Sequence, residues 1–180
     1  VRLELLKNRN ITVAYISMFF IGLAMFMLYQ TLPFFMGEPV ENGGFGKTSQ
    51  VIIGLFLLPN AVGQLTASPL GGKLGPRFGH WWILTAGLVI AALGFISLAL
   101  LRTSEVGVIL SVLMFGVGIG MASTGNTNTI SCVCSKDNFG STTAVNSMIL
   151  PIGMSVGPVL AALILGSFVG DMSGYIYCWG

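Results

Sequence analysis

Five long apolar stretches alternate with short segments that hold nearly all of the charge. The runs Ile11–Met36, Ser49–Leu70, Trp81–Leu101, Val106–Val133 and Thr143–Val169 contain no Asp, Glu, Lys, Arg or His. An uncharged apolar run of about 20 residues crosses the hydrocarbon core as a helix. The pattern therefore predicts an all-α integral membrane protein with five transmembrane helices at about 11–36, 49–70, 81–101, 106–133 and 143–169. Pro33 kinks or ends the first span, Pro59 lies inside the second and Pro69 near its end, and Pro151 and Pro158 make the centre of the fifth prone to kinking. Residues 1–10 form an amphipathic lead-in, and Asn10 or Thr12 is a candidate cap for the first helix. The connections carry the residues of loops: Gly37–Thr48 is rich in Gly, Pro and Glu, and Gly71–Trp82 reads as a tight turn in which Pro76 stops a helix. Cys134–Gly140 precedes a fifth span capped within Ser141–Thr143. Asp171 and Gly174 form a turn, and residues 175–180 resemble the start of a further span, so the chain reads as part of a longer transmembrane domain.

Composition agrees. The chain of 180 residues is 54% hydrophobic and 8% charged, with a mean hydropathy of +0.87. A soluble domain carries roughly 25% charge, so lipid must cover most of this surface. The net charge of +2 comes with no basic stripe, which argues against nucleic-acid binding. Cys132 and Cys134 are too close for ordinary disulfide geometry and lack the other ligands of a zinc site, so no metal and no cofactor is expected.

Loop charge orients the helices. The N-terminal segment, the loop with Lys73 and Arg77 and the loop with Lys136 together hold Arg2, Lys7, Arg9, Lys73, Arg77 and Lys136 against Glu4 and Asp137. The alternate loops hold Lys47 and Arg102 against Glu38, Glu41, Glu105 and Asp171. Lys and Arg accumulate on the cytoplasmic side. The N-terminal end is therefore expected inside a cell membrane, with Trp81 and Trp82 at the inner interface.

An ionisable group within a span is by default a functional hypothesis. None is present, which leaves no proton carrier and no acid–base pair for catalysis in these spans. Their polar content is neutral, and the substrate-cavity candidates are Gln30, Asn60, Gln64, Asn126 and Asn146. Asn60 and Gln64 are four apart on one helix face, beside the carbonyl that Pro59 frees at mid-depth. Two readings fit this pair, a cavity lining and a hydrogen-bonded link between helices. Gly116 and Gly120, Gly153 and Gly157, and Gly166 and Gly170 have the spacing that lets membrane helices approach closely. Methionines and aromatics on the first span, Phe19, Phe20, Phe26 and Tyr29 among them, suit an adaptable apolar wall or simple packing.

The run Gly72-Lys73-Leu74-Gly75-Pro76-Arg77-Phe78-Gly79, after a span ending Ser68-Pro69-Leu70-Gly71, resembles the loop motif G-x-L-x-D-R-x-G-R-R of the major facilitator superfamily. Gly72, Leu74, Arg77 and Gly79 match. Pro76 stands where the family has Asp, and His80 and Trp81 replace the trailing basic pair, so the family's Asp-based charge latch is not carried over. Leu5-Leu6-Lys7-Asn8-Arg9-Asn10, Gly54-Leu55 with Leu58-Pro59, and the glycine-rich fourth span are similar to the C-terminal half of fourteen-span drug:proton antiporters. Gly153, Gly157 and Pro158 resemble the antiporter motif of a fifth span. The resemblance implies five helices of a six-span half of a major-facilitator-type bundle, whose other half is missing here. It implies a transporter and not an enzyme, working by alternating access. Proton-coupled efflux of hydrophobic or amphipathic small molecules is the expected activity, with Arg77 at a cytoplasmic hinge, the fifth span flexing or sealing against the second, and protons coupled elsewhere. Transport of a polar metabolite such as a sugar or organic ion, and a non-transporting membrane scaffold, are the alternatives.

Overall fold

A computed structural model describes residues 9–39, 44–47, 49–101, 103–134 and 136–167. They form five helices: α1 (Arg9–Gly37), α2 (Gln50–Phe78), α3 (His80–Leu100), α4 (Glu105–Val133) and α5 (Lys136–Ser167). All five contain a segment long and apolar enough to cross a membrane. The lead-in before Arg9, the turn expected at Asp171 and Gly174, and the expected start of a further span at 175–180 lie outside the described residues.

Helix ends differ from the apolar runs in an informative way. α2 continues through Gly71, Pro76 and Arg77 to Phe78, so Pro76 does not stop it and the turn to α3 is the single residue Gly79. Pro76 removes one backbone bond, to the carbonyl of Gly72, but the following turn closes normally: the Gly79 N–H donates to the Gly75 carbonyl at 2.9 Å. Gly79 has φ 90°, a conformation that side-chain-bearing residues seldom adopt. Likewise α5 begins at Lys136, ahead of the expected Ser141–Thr143 cap, and Asn10 and Thr12 lie within α1 instead of capping it. Hydrophobicity marks where a helix is in lipid. Water and headgroups accept its outer turns, so polar residues there do not end it.

α4 is the most enclosed helix, and α2 and α5 the least. It packs on α2 and α3, while α1 joins it on another side and carries α5. The contacts are made by backbone approaching backbone. A Cβ on Gly63 of α2 would lie 2.6 Å from the Leu113 carbonyl of α4, and one on Gly116 of α4 would collide with the backbone of Asn60. The α1–α5 pair is built in the same reciprocal way: Gly22 fits against Leu150 and Met154, while Gly153 and Gly157 fit against Phe19 and Leu23. Lipid tails are as apolar as leucine, so close van der Waals contact of this kind holds such helices together. The glycines of α5 thus serve an interface with α1, not the second helix that the resemblance suggested. Larger side chains fill the space between seams, with Leu28, Leu32, Phe35, Leu84, Val112 and Phe115 fully enclosed.

The two ends of the bundle are dissimilar. At one, the α1–α2 linker folds back on α1: the Lys47 N–H donates to the Met36 carbonyl at 2.8 Å, Phe45 meets Phe35 edge-on, and Lys47 Nζ pairs with Glu105 Oε1 at 3.0 Å. At the other lie the start of α1, the α2–α3 turn and the α4–α5 connection. Lys73 and Arg77 are exposed there, and neither has an ion-pair partner among the described residues.

Candidate functional site

Asn60 is the centre of a neutral hydrogen-bonded network linking three helices. It is fully buried. Its Nδ2 donates to the Tyr29 hydroxyl of α1 at 3.1 Å, and its Oδ1 accepts from Gln64 Nε2 at 3.0 Å. Gln64 also lies within hydrogen-bonding reach of the Tyr29 hydroxyl. One turn on, Ser68 Oγ donates to the Gln64 carbonyl at 2.7 Å and, at 3.4 Å, to that of Gly120 on α4; Thr124 Oγ1 donates to the Ser68 carbonyl at 3.3 Å. The local cause is the α2–α4 seam. Gly116 brings α4 onto the backbone of Asn60 and Gly120 brings it onto that of Gln64, so both amides are held at the edge of the seam, with α1 across from it. α1 and α2 otherwise touch little, and Tyr29 bridges the gap.

The other candidates are placed elsewhere. Gln30 adjoins Tyr29 in the chain but is exposed, outside the network. Asn126 and Asn146 are buried near the opposite end of the bundle. There the Asn126 Nδ2 donates to the Ala14 carbonyl at 2.5 Å, and Tyr15 Oη donates to the Thr142 carbonyl of α5 at 3.2 Å. The Oδ1 atoms of Asn126 and Asn146 are both buried without a hydrogen-bond partner among the described residues. The structure thus brings Asn60 and Gln64 together and keeps Gln30, Asn126 and Asn146 apart from them.

Tyr29 was legible only as one aromatic among several on the first span. Nothing in its spacing tells that its hydroxyl meets an amide 31 residues away. Its ring packs edge-on against Phe26, with centroids 6.1 Å apart, and Phe26 is itself exposed.

An apolar recess of about 290 Å³ opens between α1, α3 and α4, lined by Phe20, Leu23, Leu88, Phe95, Phe115 and Ile119 among others. Of the loop-motif residues, Gly72 lies within α2 near Thr124, Gly79 makes the turn and Arg77 is exposed. No group of three or more His, Cys, Asp or Glu side chains that could hold a metal exists among the described residues. The described residues of the bundle offer hydrogen bonding and apolar contact, both suited to binding a molecule.

The family profile described as Major Facilitator Superfamily matches residues 2–158. The chain belongs to the Major Facilitator Superfamily. Superfamily relatives similar to it include the multidrug transporter protein MdtP of Bacillus subtilis, 25% identical over 170 residues that make up 93% of this chain and 30% of the relative. The quinolone resistance protein NorA of Staphylococcus aureus (strain MRSA252) is 26% identical over 166 residues, 92% of this chain and 39% of the relative. The multidrug efflux pump LfrA of Mycolicibacterium smegmatis is 28% identical over 122 residues, 67% of this chain and 24% of the relative. The chain thus spans between about a quarter and two-fifths of the length of these curated relatives. It is a multi-pass membrane protein of a transporter superfamily whose matched members include a multidrug transporter and a multidrug efflux pump.

Proposed function

We propose that this chain forms part of one half of a secondary active transporter that exports hydrophobic or amphipathic small molecules by alternating access, driven by protons. The observation that carries the reading is the charge-free network of Tyr29, Asn60 and Gln64, with Phe26 beside Tyr29, in a chain of this superfamily. Neutral donors and acceptors orient a ligand without demanding a charge on it, and methionine and aromatic surroundings adapt to many shapes. The names of the matched relatives, a multidrug transporter, a quinolone resistance protein and a multidrug efflux pump, support the same substrate class. Asn60 is buried and acts as the holder of the network, while the half-buried Gln64 and Tyr29 present it to the substrate. The spans of this chain carry no ionisable residue, so the proton is carried elsewhere in the transporter. The end bearing Lys73 and Arg77 faces the cytoplasm, following the asymmetry of positive charge.

The test is flux of lipophilic dyes in vesicles containing the full-length polypeptide that carries this segment. Gln64→Leu is expected to lower transport of at least one dye several-fold while the protein still reaches the membrane. Transport of sugars or organic ions in place of dyes would support the polar-metabolite alternative, and no flux of any solute under any gradient would leave a scaffold.

A further inference from the structure

The hydrogen bonds around Tyr29 are directional, and their direction says what the site offers. Asn60 presents its NH2 group to the Tyr29 oxygen, and its own carbonyl oxygen is occupied by Gln64 Nε2. The buried amide is thereby satisfied at both ends within the protein, as a buried polar group requires. The tyrosine oxygen acts as acceptor in its bond to Asn60, so its proton points away from Asn60. A hydroxyl is both donor and acceptor; here Asn60, with Gln64 in reach, takes the acceptor side, and the proton has no hydrogen-bond acceptor among the described residues. The ring that carries it is half-buried and stands edge-on to Phe26, which is 38% exposed.

We infer that Tyr29 is a specificity-determining residue, its hydroxyl donating a hydrogen bond to an oxygen acceptor on an aromatic, non-anionic substrate that packs against Phe26. This rests on the efflux reading above and adds a substrate class to it. The aromatic faces favour planar apolar or delocalised cationic rings. No span of this chain contributes a Lys or Arg to hold an anion. Selection among such substrates then falls to the hydroxyl, because a site built to hydrogen-bond a substrate group discriminates against analogues lacking it.

The experiment compares two lipophilic aromatic cations in vesicles holding the full-length transporter: a rhodamine ester dye, which bears oxygen acceptors, and tetraphenylphosphonium, which bears none. Tyr29→Phe is expected to raise KM for the rhodamine ester about three- to tenfold, the range of one hydrogen bond, and to leave that for tetraphenylphosphonium unchanged. Because this variant also strips Asn60 of its acceptor, the double variant Tyr29→Phe/Asn60→Leu, which removes that stranded donor and leaves only the half-buried Gln64 amide to find a new partner, is measured alongside and is expected to keep the same selectivity. An equal change for both probes, a change in neither, or recovery of rhodamine transport in the double variant would overturn the inference and leave Tyr29 a link between α1 and α2. If the unaltered transporter moves neither probe, the efflux reading falls and this inference with it.

Discussion

At the scale of single residues, what counts is how much room each glycine has. Gly116 has none: any Cβ there would strike the Asn60 backbone. Gly72, in the last two turns of α2, has its nearest neighbour, a Thr124 methyl, 3.9 Å from where a Cβ would sit. Gly116→Ala is therefore expected to lower stability by about 1–3 kcal/mol through overpacking, while Gly72→Ala is neutral or slightly stabilising, since alanine is the better helix former by about 1 kcal/mol. Thermal unfolding of the two variants in the same detergent checks the contrast. Gly79→Ala is expected to be costly for another reason, its positive φ, by about 1–2 kcal/mol. Asn60→Leu belongs here too: it leaves the Tyr29 hydroxyl and the Gln64 amide without their shared partner, and altered substrate preference with intact membrane insertion is the expected result in the dye assay.

Elements behave as units because of how they are joined. α2 and α3 meet through one glycine, so the hairpin has almost no slack, and Arg77 projects from its tip into solvent. Arg77→Ala is expected to slow transport while leaving substrate binding intact, as measured by flux and equilibrium dye binding on the same preparation; parallel loss of both contradicts a hinge role. The elements were the most legible part of the chain. Five apolar runs without a charge could only be five membrane helices, and the matching glycines in the fourth and fifth announced close packing. Their ends were less legible, because Pro76 and the polar stretch from Lys136 look like breaks while the backbone continues through them. Their pairing was not legible at all. That Gly153 meets Phe19, or that Asn60 meets Tyr29, depends on which helix lies beside which, and local spacing carries no such information. Hence the five amides Gln30, Asn60, Gln64, Asn126 and Asn146 were legible as candidates while Tyr29, Ser68 and Thr124 were not, and the division into one network, one exposed side chain and two buried amides came only from the packing.

For the molecule as a whole, the outward faces of α2, α3 and α5 are apolar, with Leu65, Leu100 and Leu163 well exposed. Such faces need lipid or further protein against them, and dispersal without detergent should cause aggregation. A single cysteine introduced at Lys73 is expected to react with a membrane-impermeant thiol reagent only after the cytoplasmic face is opened; reaction in intact cells would invert the topology. The strap between Lys47 and Glu105 has a further consequence when set against the opposite pole, where Arg9, Lys73 and Arg77 have no ion-pair partner among the described residues. Added electrolyte shortens the reach of every exposed charge to about 8 Å at physiological strength. At one pole that loosens an attraction; at the other it quiets mutual repulsion. On the proposed alternating-access cycle, a half with opposite responses at its two rims has its resting tilt set partly by the salt on each side of the bilayer.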